Sequence, residues 1–157
     1  MSDSHGAPPR PEEPEHDRQA CSEGMLRVPA RASHLALVGM VVRWFGHRAG
    51  LEDDKCRELE VAVDEACTNI IRHAFPGETA GDVTILCAPL AGGLQVTILD
   101  KGQPFELDQA VQLGREKHAR DPASGGMGWL LIRQLTDGVH YQHDEREGNR
   151  LTLIKHK

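Results

Sequence analysis

The chain has no apolar run near the roughly 20 residues of a membrane-spanning helix. Its opening residues, MSDSHGAPPR, carry no apolar stretch of the kind a secretory signal needs. Both absences lead to the expectation of a soluble, cytoplasmic protein. The four cysteines, Cys21, Cys56, Cys67 and Cys87, show no CxxC spacing, so no disulfide framework is expected. Three of them sit inside apolar patterns and read as small reduced core residues. His5, His16 and Cys21 are too irregularly spaced for a metal site. Lys and Arg form no continuous track, which argues against direct contact with nucleic acid. Familiar phosphate-binding signatures are missing as well. There is no GxxxxGK[ST], the run Gly126-Met127-Gly128-Trp129-Leu130-Leu131 lacks the third glycine of the dinucleotide fingerprint, and the HRD and DFG of eukaryotic-type kinases are absent.

What remains is enough for one domain, since 157 residues bury about two-thirds of their unfolded surface. The net charge of −6 is unevenly spread: residues 1–24 hold six acids against two bases, a balance of −4 that leaves −2 for the rest. The same segment holds four of the nine prolines and almost nothing to bury, so it reads as a disordered, acidic, Pro-rich tail, with residues 25–157 as a single folded domain.

Within that domain, Met25 to Val28 is a short strand stopped by Pro29. Leu35, Val38, Val42 and Phe45 recur at helical spacing, with Ser33 as a candidate cap and Gly50 as the stop. A second helix starts near Glu52 or Asp53 and carries the stripe Cys56, Leu59, Val63, Ala66 and Ile70. Pro76 and Gly77 end it. Asp82 to Pro89 and Leu94 to Leu99 alternate around Ala91-Gly92-Gly93, the pattern of a hairpin. Residues 106–124 are weakly patterned: Leu107, Ala110, Val111 and Leu113 suit a short helix, but the stretch from Gly114 to Pro122 is polar and broken, as in a lid or mobile binding loop. An apolar helix from Trp129 to Leu135 follows, then strands at Val139 to His143 and Leu151 to Ile154 joined by a Gly148-Asn149 turn.

Three short patterns carry the chemistry. Glu65 and Asn69, four residues apart on the second helix, leave the same face about 40° from eclipsed. An Asn oxygen suits Mg²⁺, which keeps only one or two protein ligands, and a neighbouring carboxylate can take the proton of an attacking hydroxyl. Arg72 and His73 lie one turn on and extend that polar face toward an anion, although a histidine at a helix end equally caps carbonyls. Asp100, on the same strand face as Val96 and Ile98, begins Asp100-Lys101-Gly102-Gln103-Pro104-Phe105. Asp-x-Gly is ordinary turn chemistry; the functional reading is a carboxylate that accepts a base amine while Gly102 admits the ring edge. Finally, Gly125-Gly126-Met127-Gly128 opens a helix, where converging backbone N–H groups favour an anion. Thr152 is either a plain strand former or a hydroxyl donor to a ring nitrogen.

In this order, the patterns resemble the GHKL superfamily of gyrase-type ATPases, histidine kinases and MutL-like proteins, and more closely the bacterial anti-sigma factor serine kinases of the RsbW type. The resemblance spans residues 25–157 and rests on VDEACTNIIRHAF, DKGQPF, GGMGWLLIRQLTDGVHY and GNRLTLIKHK. It implies a two-layer α/β sandwich, with a mixed, mainly antiparallel sheet and helices on one face. It implies a serine/threonine kinase that uses ATP and Mg²⁺, sequesters a sigma factor, and phosphorylates a STAS-domain anti-anti-sigma protein; a homodimer is suggested by resemblance alone. On this basis Glu65 activates the hydroxyl and Asn69 ligates Mg²⁺. Asp100, Gly102, Pro104 and Thr152 belong to the base site, while Arg72, His73, Gly125, Gly126, Met127 and Gly128 belong to the phosphate end. Met127 and Trp129 are bulkier than the family norm. The rival readings are a non-catalytic ATP-dependent binding module and an ATP hydrolase acting on a partner other than a sigma factor.

Overall fold

A computed structural model describes residues 22–74, 81–122 and 126–157. The expected tail up to residue 21, Cys21, the helix stop at Pro76-Gly77 and the phosphate-site residue Gly125 lie outside the described residues.

The elements run β1 (Gly24–Pro29), α1 (Leu35–Arg48), α2 (Asp53–His73), β2 (Asp82–Leu90), β3 (Gly93–Asp100), α3 (Leu107–Arg120), α4 (Gly128–Leu135), β4 (Gly138–Asp144) and β5 (Gly148–His156). The strands form one sheet in the order β1-β2-β3-β5-β4. Among the described residues every pairing is antiparallel, so the sheet is antiparallel where a mixed, mainly antiparallel one is expected. The reason lies in the connections: α3 and α4 carry the chain across so that β4 runs parallel to β3, but β5 folds back into the gap between them and pairs with both.

Cross-strand partners share a face, and the register therefore defines two. Val28, Val83, Asp100 and Asn149 form one row; Leu26, Ile85, Ile98, Leu151 and Tyr141 form the next. This inner face is covered by the helices: its apolar residues pack in one core with Val38 and Val42 of α1 and with Cys56, Leu59, Val63, Ala66 and Ile70 of α2. The α2 stripe is thus the one expected from its spacing, and Leu59 is fully buried. Leu59→Ala should lower unfolding free energy by about 2–5 kcal/mol, readable as a lower urea midpoint with unchanged slope.

The start of α1 and the length of α3 depart from expectation, while Gly50 stops α1 as expected. His34 rather than Ser33 occupies the N-cap of α1, without a side-chain hydrogen bond. Gly50, just past its end, has φ +83, the left-handed conformation that favours glycine there. The larger departure is α3, which continues unbroken to Arg120 where the sequence pattern reads as polar loop. Val111 and Gly114 are its buried positions, and Gly114 allows the backbone before α4 to come close, since a Cβ there would lie 2.2 Å from the Gly126 carbonyl oxygen. An ion pair from Arg133 of α4 to Asp108 adds a second tie.

At the far end of the sheet, the buried Lys155 donates to the Leu135 carbonyl at the end of α4, 2.9 Å away, and pairs with Glu58 of α2. Cys56, Cys67 and Cys87 are buried. Burial pushes Cys67 up to about 12, so it stays protonated at neutral pH. Among the described residues no helix is long and apolar enough to cross a membrane.

Candidate nucleotide site

The acid and the amide on α2 meet the start of α4. A Cβ added to Gly128, the first residue of α4, would lie 2.8 Å from Glu65 Oε2 and 3.3 Å from Asn69 Nδ2. The missing side chain at 128 therefore brings the α4 N-terminus directly against this pair, so that helix N–H groups, the carboxylate and the amide surround one small volume. Asn69 Nδ2 is buried and has no hydrogen-bond partner among the described residues. Leaving a buried donor unpaired costs roughly 1–3 kcal/mol, the mark of a site completed by something bound. An acceptor such as a phosphate oxygen would satisfy that N–H, and the amide oxygen of Asn69 would be the atom that holds Mg²⁺, with Glu65 beside it and the remaining positions left to phosphate and water. Among the described residues no group of three His, Cys, Asp or Glu side chains forms a cage that would hold a metal without such help.

A cavity of about 240 Å³ opens from this point along α2. Asn69, His73 and Ala74 form one wall, Asp100 and Asn149 the floor, and Pro104, Phe105 and Trp129 the opposite side. The apolar side is an aromatic cluster: the Phe105 ring centroid lies 4.1 Å from that of Tyr141 and 4.8 Å from that of Trp129. Trp129, bulky for its position, thus becomes a wall of the cavity.

Asp100 is buried at the end of β3. Its Oδ1 accepts from the Gly102 N–H at 2.8 Å and from Asn149 Nδ2 at 2.8 Å. The turn reading of Asp-x-Gly therefore holds for Oδ1, and Oδ2 is left facing no donor among the described residues. Asn149 also donates to the carbonyls of Gly102 and Gln103, at 3.1 and 3.3 Å. Its Oδ1 accepts from Tyr141 OH at 2.8 Å and contacts His143 Nδ1 at 2.9 Å. Tyr141 OH in turn accepts from the Phe105 N–H at 3.1 Å. Burial raises the Tyr141 phenol above its usual range, so it remains a donor at neutral pH.

Several expectations need correcting. Thr152 pairs with Thr97, and their hydroxyls lie 3.4 Å apart on the outer face of the sheet, away from Asp100. Asn149, three residues earlier and on the inner row, occupies the place expected for Thr152. Its parity with Leu151 and Leu153 was the available signal. Gly102 has a packing reason to be glycine in addition to the one expected: a Cβ there would lie 2.3 Å from Ala74 Cβ and 2.5 Å from the Ala74 carbonyl oxygen, so it admits the end of α2. Gly102→Ala should push the turn off α2 at a cost of about 1–3 kcal/mol, measurable as a lower melting temperature. Arg72 is exposed and does not line the cavity, whereas His73 does. Gly126 has φ +93 and packs on α3, and the Met127 carbonyl accepts from the Leu131 N–H in the first turn of α4.

The family described as histidine kinase-like ATPase domain matches residues 28–155. The chain belongs to that family. Within it, the chain is 33% identical over 122 residues to the serine-protein kinase RsbW of Bacillus subtilis (strain 168), covering 75% of this chain and 76% of that protein. It is 32% identical over 124 residues to the serine-protein kinase RsbW of Listeria monocytogenes serotype 4a (strain HCC23), covering 76% and 79%. These matches place it in the RsbW family of serine-protein kinases. The fold is also that of the histidine kinase domain from Erythrobacter litoralis EL346 blue-light activated histidine kinase, with TM-score 0.50 and 18% identity over 82% of this chain and 61% of that one. The family is one of ATPases; of the motif residues, Asn69 and Asp100 line the cavity, while Gly128 meets Glu65 and Asn69 at its end.

Proposed function

We propose that this RsbW-family protein is an anti-sigma factor that phosphorylates a serine of a STAS-domain anti-anti-sigma protein with ATP, and that it sequesters a sigma factor when that antagonist is phosphorylated. The observation that carries this reading is the packing of Gly128 against Glu65 and Asn69, at one end of a cavity whose floor is Asp100. With the base amine on Asp100, the phosphates reach the α4 N-terminus, where backbone donors and the helix dipole favour them.

Glu65 then accepts the proton of the incoming serine hydroxyl as its oxygen bonds to the γ-phosphorus. The bond from that phosphorus to the β,γ-bridging oxygen breaks, and ADP leaves with the electron pair. Such transfer needs positioning and charge neutralisation more than covalent help. Mg²⁺, when bound, supplies the neutralising charge.

The test is incubation of the protein with γ-labelled ATP and the STAS protein encoded in the same genome. Label on a single serine of that protein supports the reading. Phosphate release without a protein acceptor would establish a hydrolase, and ATP-dependent partner binding with no labelled serine would establish a non-catalytic module. Sequestration is read separately, as capture of a sigma factor that is released on adding the unphosphorylated antagonist.

A further inference from the structure

Asn149 has no assigned part in the reaction, yet it is 2% exposed and makes more hydrogen bonds than any other side chain near the cavity. Its orientation is fully determined. Oδ1 can only accept, and it meets the Tyr141 hydroxyl and His143, which must therefore bond through an Nδ1–H. Nδ2 is left pointing at Asp100 Oδ1 and at the carbonyls of Gly102 and Gln103. One carboxamide thus ties the β4–β5 hairpin to the end of β3 and to the loop that walls the cavity.

We propose that Asn149 is a positioning residue that sets base specificity. By occupying Asp100 Oδ1 together with the Gly102 N–H, it leaves Oδ2 as the only carboxylate oxygen open to a ligand. That oxygen accepts and does not donate, so the site prefers a purine with an exocyclic amine at C6 over one without it. Asn149 does not touch the base; it acts through Asp100. Threonine at 149 would bring one hydroxyl donor in place of two amide N–H groups, and leucine, of the same branched shape, would bring none. This rests on the reading of Asp100 as the base acceptor.

The experiment measures calorimetric affinity for Mg-ATP and for Mg–purine riboside triphosphate, which lacks the 6-amino group. The proteins are wild type, Asn149→Leu, Asp100→Asn and the double variant. Wild type should prefer ATP about tenfold. Asn149→Leu should lose most of that preference, with ATP weakened about tenfold and the analogue changed less than about twofold. Adding Asp100→Asn should weaken ATP by no more than about a further twofold, because both changes break one coupled contact. A residue that merely held the fold would weaken both nucleotides alike, and that result, or an intact preference in Asn149→Leu, overturns the proposal.

If Asn149→Leu does not fold, Tyr141→Phe removes one of the two donors that orient the amide. It should reduce the preference about threefold; an unchanged preference overturns the proposal equally. Wild-type protein that binds ATP and the analogue alike would instead overturn the base site itself.

Discussion

Glu65→Gln should leave Mg-ATP affinity within about twofold of wild type while phosphate transfer falls at least 10²-fold, the usual scale for a missing general base. The change is isosteric, so the contact with Gly128, where a Cβ would meet Glu65 Oε2 at 2.8 Å, is kept and α4 stays in place. What is lost is the ability to accept a proton. Asn69, the neighbouring amide, is untouched, so the phosphates keep their site. Calorimetry and single-turnover labelling of the serine acceptor separate the two effects. Transfer at the wild-type rate would mean that Glu65 is not the base.

The second large effect falls at the opposite end of the cavity. Asp100→Asn should weaken ATP about tenfold, the lower end of what one hydrogen bond to a charged group contributes, about 1.5 kcal/mol. The folded state should suffer less. An amide oxygen in place of Oδ1 can still accept from the Gly102 N–H and from Asn149 Nδ2, now each 2.8 Å from the carboxylate. Its NH₂ then replaces Oδ2 and presents a donor to the base amine, which is itself a donor. Melting temperature in the absence of nucleotide should accordingly move little, while binding falls. An equal loss of both would assign Asp100 to the turn alone.

The two substitutions also test how the site divides. Glu65 and Asp100 sit on different elements, α2 and β3, and neither hydrogen-bonds the other. Binding and transfer should respond independently. A Glu65→Gln variant that loses ATP as fully as Asp100→Asn would contradict a base site and a transfer site at separate ends of one cavity.

Local periodicity by itself determined most of the elements and the placement of four candidate site residues. The 3.6-residue stripe of α2 gave its buried face and, by subtraction, the face bearing Glu65 and Asn69. Two-residue alternation in β3 placed Asp100 on the inner face, and the glycine before an apolar run marked the start of α4 at Gly128. These patterns are written within a few residues of one another, so reading them requires no knowledge of distant neighbours. Tertiary structure decided what depends on pairing across the chain. Asn149 reaches Asp100 across 49 residues, only because β5 inserts between β3 and β4, and the same register turns Thr152 to the outer face. The Gly102 turn meets Ala74 through the docking of α2, and α3 stays helical through Gly114 because it lies on the backbone at Gly126. Each of these is a long-range contact whose geometry is fixed by strand register and helix docking, which no short stretch of sequence encodes.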